Sequence, residues 1–445
     1  MSPEVISIVV LGALFVLATW RNVHLGAAAL AAAWLVGLFV FQVTTGDVLA
    51  GFPADLFMTL VGVTFLFGIA ERTGVITALV YWAFRAVGGR VAWMPWVIFF
   101  VTAAITAVGA ATPAAAAIVG PIAMGFAARH RTSPILMGMA VIQGASAGSF
   151  APTGVYGMII NEILVRNGLG SSPFVLFFAS LAAILLTVVI AYFMYGGRRR
   201  RQAANGGDLA RDGSGTLTAT GNPGNPVETT DSDLAAPVMS GPLIASLIAV
   251  IGLVVLVAVD VAVGFGMHLG FVALILVVVL ATIFPDAAKG AVGAVAWPTT
   301  LLVCGVVTYV ALLQNQGVVD WLGNWVAGIG APLLAALAIC FIAAIVSALA
   351  STTGILTALV PLAVPFLLTG HVWVAGLIAA LAISASVVDC SPFSTNGALM
   401  VAYASDERRD YAYRHFLGWG GGTVLLAPIV SWFLLIVLPG VIIRS

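Results

Sequence analysis

One segment of this chain occurs twice, and the duplication limits which folds the chain can adopt. Residues 103–158 align with residues 343–398 at a constant offset of 240 positions, without a gap. In apolar sequence, residues that start or break helices predict interrupted helices, because a freed backbone group in a bilayer has no water to satisfy it. We therefore expect both copies to form broken helices that meet around one site. The informative matches, at residues that start helices, break helices or carry a small polar group, are Thr112 with Thr352, Pro121 with Pro361, Ser146 with Ser386, Pro152 with Pro392 and Gly157 with Gly397.

The composition predicts an integral membrane protein built from helices. Of the 445 residues, 62% are hydrophobic and 8% are charged, whereas soluble domains average about 25% charged residues. A transmembrane barrel would show short alternating segments instead. The formal net charge is zero, which gives no electrostatic case for nucleic acid binding. Since no metal-ligand spacing, cofactor motif or nucleophile motif is visible, we expect neither an enzyme nor a cofactor, apart from a possible coupling Na⁺.

Apolar runs of about 20 residues predict the membrane spans and divide the chain into three parts. The first repeat covers residues 1–195, a polar segment covers 196–240, and the second repeat covers 241–445. The polar segment is rich in Gly, Asn, Thr and Asp, which predicts a disordered linker. In the first half we predict spans near 5–20, 25–42, 55–75 and 172–195, a hairpin at 95–127 and an interrupted helix at 134–162; in the second half, spans near 242–264, 268–285, 297–317 and 416–439, a hairpin at 333–367 and an interrupted helix at 374–402.

Positive charges predict how the chain is oriented. If each hairpin enters and leaves on the same side, each half crosses an odd number of times and the second copy is inverted. With the N-terminus outside, only Arg166 and Arg444 then fall on the outer face, and the crowded face is cytoplasmic by the positive-inside rule. We predict an all-α integral membrane protein of the cytoplasmic (inner) membrane. It has two inverted repeats of five spans, each with one re-entrant helical hairpin and one interrupted helix, both termini outside and the linker in the cytoplasm.

Polar residues at the hairpin tips are the first candidate site residues. Thr112 suits an N-cap and Pro113 the first helical position, so the returning helix should begin at Thr112 and run to Pro121. The second tip is Ser351-Thr352-Thr353. Either tip alone is explained by hydroxyls bonded to their own helices, but matched tips in two copies favour a site at which helix N-termini face the membrane centre.

The two interrupted helices supply the remaining candidates. Proline and glycine within 148–154 and 389–397 predict a few unwound residues, although a simple proline kink is the alternative. Asp389 is the acid placed deep inside a span, where a carboxylate is costly and therefore functional by default. It binds a coupling cation or a proton in this interpretation, or caps helix ends in the structural alternative. We expect Gln143, Tyr156, Thr308 and Gln314 to lie outside the site.

An anionic substrate would be held by helix N-termini, backbone N–H groups and hydroxyls, because no Lys or Arg is predicted at membrane depth. The predicted coupling-ion residues are Asp389, Ser351, Ser149 and Thr112. The predicted substrate-binding residues are Thr112, Pro113, Ser149, Pro152, Thr153, Gly154, Ser351, Thr352, Thr353, Ser391, Pro392, Ser394, Thr395 and Asn396.

These motifs resemble the ion-transporter superfamily, in particular the divalent-anion:sodium symporter fold and its malonate/dicarboxylate carriers of the MatC type. The likeness lies in two polar tips, each followed by proline at 121 or 361, and in the Pro/Thr/Gly break of the interrupted helix. The symporters carry Ser-Asn-Thr at the tip, where this chain has Ser351-Thr352-Thr353. The resemblance implies tips that contact substrate carboxylates and help to build sodium sites, a homodimer, and an elevator-like motion.

The sequence is compatible with three functions. The first is a secondary carrier for a small dicarboxylate such as malonate or succinate, coupled to Na⁺ or H⁺. The second is the membrane subunit of an uptake system that needs an extracytoplasmic binding protein. The third is a cation/proton antiporter or arsenite-type exporter that uses Asp389.

Overall fold

The computed structural model describes most of the chain as helix. The described residues are 2–21, 23–86, 91–130, 132–170, 172–196, 237–319, 321–322, 332–349, 351–368 and 372–439. No strand occurs among them. Most of the predicted linker, residues 197–236, lies outside the described residues.

The helices follow the predicted order in both halves. The first half contains α1 (Pro3–Arg21), α2 (Leu25–Phe39), α3 (Thr45–Ala50), α4 (Ala54–Arg72), α5 (Val75–Ala86), α6 (Met94–Ala107), α7 (Thr112–Arg129), α8 (Pro134–Ser149), α9 (Val155–Arg166) and α10 (Pro173–Gly196). The second half contains α11 (Gly241–Val263), α12 (Leu269–Ile283), α13 (Pro285–Ala288), α14 (Trp297–Asn315), α15 (Pro332–Leu349), α16 (Thr352–Leu368), α17 (Val374–Val387), α18 (Thr395–Tyr403) and α19 (Asp406–Trp432).

Seven helical segments in the described part of the chain are long and apolar enough to cross a membrane. They include α17, its break and α18 taken together as one segment from Val374 to Tyr403. The multi-pass character predicted from composition is therefore confirmed.

Two predicted boundaries are wrong for a physical reason. The helix that follows the first tip does not stop at Pro121 but continues to Arg129, and α16 likewise runs past Pro361 to Leu368. Proline is tolerated inside such helices because neighbouring groups satisfy the freed carbonyl, while ending the helix in lipid would free many more. The last helix begins at Asp406, ahead of the predicted 416, because hydropathy reports contact with lipid and misses a polar first turn.

Close helix crossings show that each half packs its second long helix against the other half. Helix α2 packs on α14, and α12 packs on α4. A methyl group at Gly305 would lie 2.1 Å from the Gly26 carbonyl oxygen, and one at Gly62 would lie 2.4 Å from the Gly270 carbonyl oxygen. Gly26 sits in a His-Leu-Gly triplet that recurs at Gly270. Each crossing thus brings the backbones of the two halves into contact through a pair of glycines, as small residues allow in membrane proteins.

The core of the molecule is formed by α8 and α17. Every residue of α8 is buried, and so is α17 from Gly376 to its end. Helices α6, α7 and α10 pack around α8, while α15 and α19 pack around α17. Because each helix break directly follows one of these two helices, both breaks begin in the most buried part of the fold.

Candidate functional site

The two helix breaks have the same backbone structure. In the first, the Gly154 N–H donates to the Ala151 carbonyl at 2.8 Å, and in the second the Ser394 N–H donates to the Ser391 carbonyl at 3.0 Å. The two pairs are related by the sequence offset of 240. The unwound segments predicted from proline and glycine are therefore present, and they form equivalent turns.

A glycine is required at the same position after each break. A methyl group at Gly157 would lie 2.1 Å from the Ala151 carbonyl oxygen, and one at Gly397 would lie 1.9 Å from the Ser391 carbonyl oxygen. Real Cβ atoms do not approach backbone this closely. The match between Gly157 and Gly397 in the sequence thus reflects a carbonyl that packs onto the first turn of the following helix.

The second repeat contains a buried acidic cluster. Asn396 donates through Nδ2 to Asp389 Oδ2 at 2.6 Å, and the two residues are 1% and 3% exposed. The Thr352 hydroxyl interacts electrostatically with the Asp389 carboxylate, and the Ser394 hydroxyl donates to the Asp389 backbone carbonyl. Asn396 Oδ1 has no hydrogen-bond partner. The cluster is rich in oxygen acceptors and is suited to a hard cation or a proton.

The first repeat holds the counterpart of this cluster. At the offset of 240, Ser149, Tyr156 and Thr112 correspond to Asp389, Asn396 and Thr352. The Tyr156 N–H donates to Ser149 Oγ at 3.3 Å, and the Tyr156 hydroxyl lies 3.2 Å from Thr112 Oγ1. All three side chains are buried. The counterpart is therefore neutral where the second repeat carries a carboxylate.

The two clusters join at Tyr156. Its hydroxyl interacts with the hydroxyls of Thr352 and Thr353, and the carboxylate of Asp389 acts on it electrostatically. Tyr156, which was not among the predicted site residues, thus lies beside Thr112 and interacts with the residues of the second tip. The sequence offset, which pairs Tyr156 with the candidate Asn396, was the signal that could have found it.

Two further contacts were not predicted from the sequence. Gln143 of α8 donates through Nε2 to the Val387 carbonyl at the end of α17, 3.0 Å away. Ser347 of α15 lies 2.9 Å from Thr352 Oγ1 and donates to the Ala385 carbonyl at 2.6 Å. These bonds tie the two repeats together and fix the second tip against α17.

The predicted capping role of Thr112 is also wrong. Ala111 is the N-cap of α7, no side chain caps this end, and Thr112 is the first helical residue with Pro113 after it. The Thr112 hydroxyl therefore remains free of a capping bond and faces Tyr156. The helix nevertheless starts where the sequence placed it.

Several of the other predicted residues form hydrogen bonds within the local backbone structure. Ser394 caps α18 by accepting from the Gly397 N–H at 3.1 Å, and Ser391 accepts from the Phe393 N–H at 3.3 Å. Thr153 donates to the Ala107 carbonyl at the end of α6. Pro113, Pro152 and Ser351 are half-buried, Gly154 and Pro392 are buried, and Thr395 is exposed.

A cavity of about 260 Å³ lies at the C-terminal ends of α9 and α14. Its polar lining comes from Arg166, Asn167, Gln314 and Asn315, and Pro361 of α16 also lines it. Gln314 donates through Nε2 to Asn167 Oδ1 at 3.2 Å. Gln314, which was expected to lie outside the site, thus lines a polar cavity away from the helix breaks.

Paired broken helices with a buried polar cluster between duplicated halves are typical of membrane transporters. The family model of the dicarboxylate carrier protein MatC N-terminus matches residues 1–149. The solved structure of the YdaH transporter of Alcanivorax borkumensis has a similar fold, with a TM-score of 0.58 and 12% sequence identity over 97% of this chain and 98% of that chain. No curated protein sequence matches this chain. The resemblance drawn from the sequence is thereby confirmed, and family model and fold both support a transporter rather than an enzyme.

Proposed function

We propose that the chain is a secondary active transporter that moves a small dicarboxylate, malonate-like or succinate-like, across the cytoplasmic membrane and is coupled to Na⁺ or H⁺. The observation that carries the proposal is the Tyr156 hydroxyl, which lies 3.2 Å from Thr112 Oγ1 of one tip and interacts electrostatically with Thr352 of the other. It brings the starts of α7 and α16 to one place beside a buried carboxylate. The family model named for a dicarboxylate carrier supports the substrate class.

In this proposal the two halves, residues 1–195 and 241–445, are inverted repeats of five spans with one re-entrant hairpin each. The reciprocal crossings at Gly26 with Gly305 and at Gly62 with Gly270 support a two-fold relation between the halves. The cations then place both termini outside and residues 196–240 in the cytoplasm. The proposal includes a homodimer. Measuring the mass of the purified protein in detergent tests this.

The anion is held by helix N-termini and hydroxyls. Helices α7 and α16 begin at the tips, and α9 and α18 begin after the breaks, so four partial positive charges converge on the cluster. The cluster contains no lysine or arginine among the described residues. The proposed contacts are therefore the hydroxyls of Thr112, Thr352 and Thr353 together with the first backbone N–H groups of these helices.

The coupling ion binds at Asp389. The carboxylate is the one formal charge among the buried polar side chains that the structure describes, and a charge at this depth is costly unless it is paired. A cation, or a proton on the carboxylate, supplies the pairing. The unpartnered Oδ1 of Asn396 provides a further oxygen beside it.

Uptake by purified protein in liposomes tests the proposal. We expect accumulation of a radiolabelled C3 or C4 dicarboxylate when an inward sodium or proton gradient is imposed, and none without a gradient. Uptake that appears only after an extracytoplasmic binding protein is added would favour the multicomponent system. Cation-driven proton release without any organic anion would favour the antiporter, and no transport of any di- or tricarboxylate would defeat the carrier.

Replacing Arg166 with Gln tests whether the polar cavity at the ends of α9 and α14 recruits the anion. Arg166 is partly exposed and lies 3.6 Å from Glu162, so its charge contributes weakly, up to about 1 kcal/mol. We expect the KM for the dicarboxylate to rise up to about fivefold, as that energy implies, with little change in the maximal rate. Arg444→Gln, which removes the other cation predicted on this face, is the matched control, and an equal effect of both variants would assign the change to overall surface charge.

A further inference from the structure

The two buried clusters are related by the sequence repeat but differ in their side-chain chemistry. The proposed function does not depend on this difference. Both clusters occupy the same place relative to a helix break, because Ser149 and Tyr156 fall on Asp389 and Asn396 at the offset of 240. The second cluster offers a carboxylate and an unpartnered amide oxygen. The first offers a serine hydroxyl that already accepts from the Tyr156 N–H.

The first cluster is also filled. The Tyr156 ring packs edge-on against Phe150 with ring centroids 5.2 Å apart, and the Tyr156 side chain is 1% exposed. A cation at this position would need to displace a phenol and would meet no formal charge, so its desolvation would be uncompensated. The duplicated fold therefore provides two equivalent positions, of which one is chemically able to hold a cation.

The phenol also makes contacts that its repeat counterpart cannot make. Asn396 donates to Asp389 within its own repeat, whereas the longer Tyr156 side chain lies within hydrogen-bond distance of Thr112 in its own repeat and interacts electrostatically with Thr352 and Thr353 in the other. Thr352 in turn interacts with Asp389. Electrostatic interactions thus connect the carboxylate with Thr352 and Thr352 with Tyr156, and the Tyr156 hydroxyl lies 3.2 Å from Thr112 Oγ1 at the first tip.

We propose that this cluster binds a single monovalent cation, at Asp389, and that Tyr156 closes the repeat-related position and links cation binding to the first hairpin tip. When the cation coordinates the Thr352 oxygen, the Tyr156 hydroxyl reorients toward Thr112. The start of α7 is then positioned to bind the anion. Tyr156 is a positioning residue in this account. The inference rests on the proposed function, since it concerns how the same site couples ion and substrate.

Equilibrium binding with ²²Na⁺ and a radiolabelled dicarboxylate tests the inference on purified full-length protein in detergent. Wild type should bind one sodium ion per chain. Tyr156→Phe should keep sodium affinity within about twofold when no substrate is present, because the carboxylate is intact. It should lose most of the increase in dicarboxylate affinity that sodium produces in wild type. Tyr309→Phe is the matched control, since it also removes a fully buried phenol hydroxyl, one that donates to the Ser7 carbonyl at 2.8 Å, and it should behave as wild type.

The double variant Ser149→Asp with Tyr156→Asn rebuilds the second cluster in the first repeat and should bind two sodium ions per chain. Two ions bound by wild type, or full sodium dependence retained by Tyr156→Phe, would overturn the inference, as would a double variant that melts cooperatively yet binds one ion. If the double variant does not fold, the first two measurements still decide. Dicarboxylate binding with no sodium binding overturns this inference and leaves proton-coupled transport standing, whereas sodium binding at one per chain without any dicarboxylate binding refutes the proposed substrate instead.

Discussion

Replacing Asp389 with Asn should reduce gradient-driven uptake to the background of empty liposomes while the protein stays folded in the membrane. The substitution keeps the shape of the side chain and removes the charge that attracts the coupling ion. The unpaired buried carboxylate is itself costly, so its removal should not lower the melting temperature. Uptake, sodium binding and thermal melting of the same preparation separate a loss of coupling from a loss of fold.

A second carboxylate serves as the matched control for this prediction. Asp260 lies in the last turn of α11, is half-buried, and accepts from the Met267 N–H at 3.0 Å. Asp260→Asn makes the same chemical change outside the cluster and should transport at the wild-type rate. If Asp389→Asn also shows wild-type uptake with unchanged ion dependence, Asp389 has the structural role of holding Asn396 and the start of α18.

The sequence predicted the positions that depend on local geometry. The offset between the copies located the tip at Thr352 and the glycines at 157 and 397, because a helix start or a close backbone contact requires a particular residue type at one position. It pairs Tyr156 with Asn396, but it does not tell which way the first turn of α9 points or which tip a long side chain will reach. The error at Pro121 has another origin, because the rule that proline ends a helix holds in water and weakens where a broken helix cannot be hydrated.

Both copies were predicted to meet around one site, but the sequence did not predict how the chemistry of the paired residues differs. The offset gave both members of each pair, yet the chemistry differs within the pairs, with Ser149 opposite Asp389 and Tyr156 opposite Asn396. A repeat in sequence predicts equivalent backbone, and the structure bears this out in the turns at Ala151 and Ser391. It does not predict equivalent function, which depends on side chains that each copy has acquired separately.

Replacing Gly397 with Ala should abolish transport. The cause would be a displaced backbone, since the substitution removes no polar group. The new methyl would lie 1.9 Å from the Ser391 carbonyl oxygen, and backbone cannot rotate away as a side chain can. The start of α18 must shift, and overpacking of this kind costs about 1–3 kcal/mol. Because Asn396 directly precedes Gly397, the shift would break its 2.6 Å contact with Asp389. We therefore expect a large fall in sodium affinity together with the loss of uptake.

The same substitution at Gly157 tests whether the two breaks are equivalent. Its methyl would lie 2.1 Å from the Ala151 carbonyl oxygen and would displace the adjacent Tyr156. We expect Gly157→Ala to lose transport as severely, but with sodium affinity largely retained, because Asp389 and Asn396 lie in the other copy. Gly252→Ala in α11, where nothing lies within 4 Å of the added methyl, should be neutral or slightly stabilising, since alanine is favoured over glycine in helices by about 1 kcal/mol. Normal transport by Gly397→Ala would mean that the break can move without harm, and the rigid contact between Asp389 and Asn396 would then not be part of the mechanism.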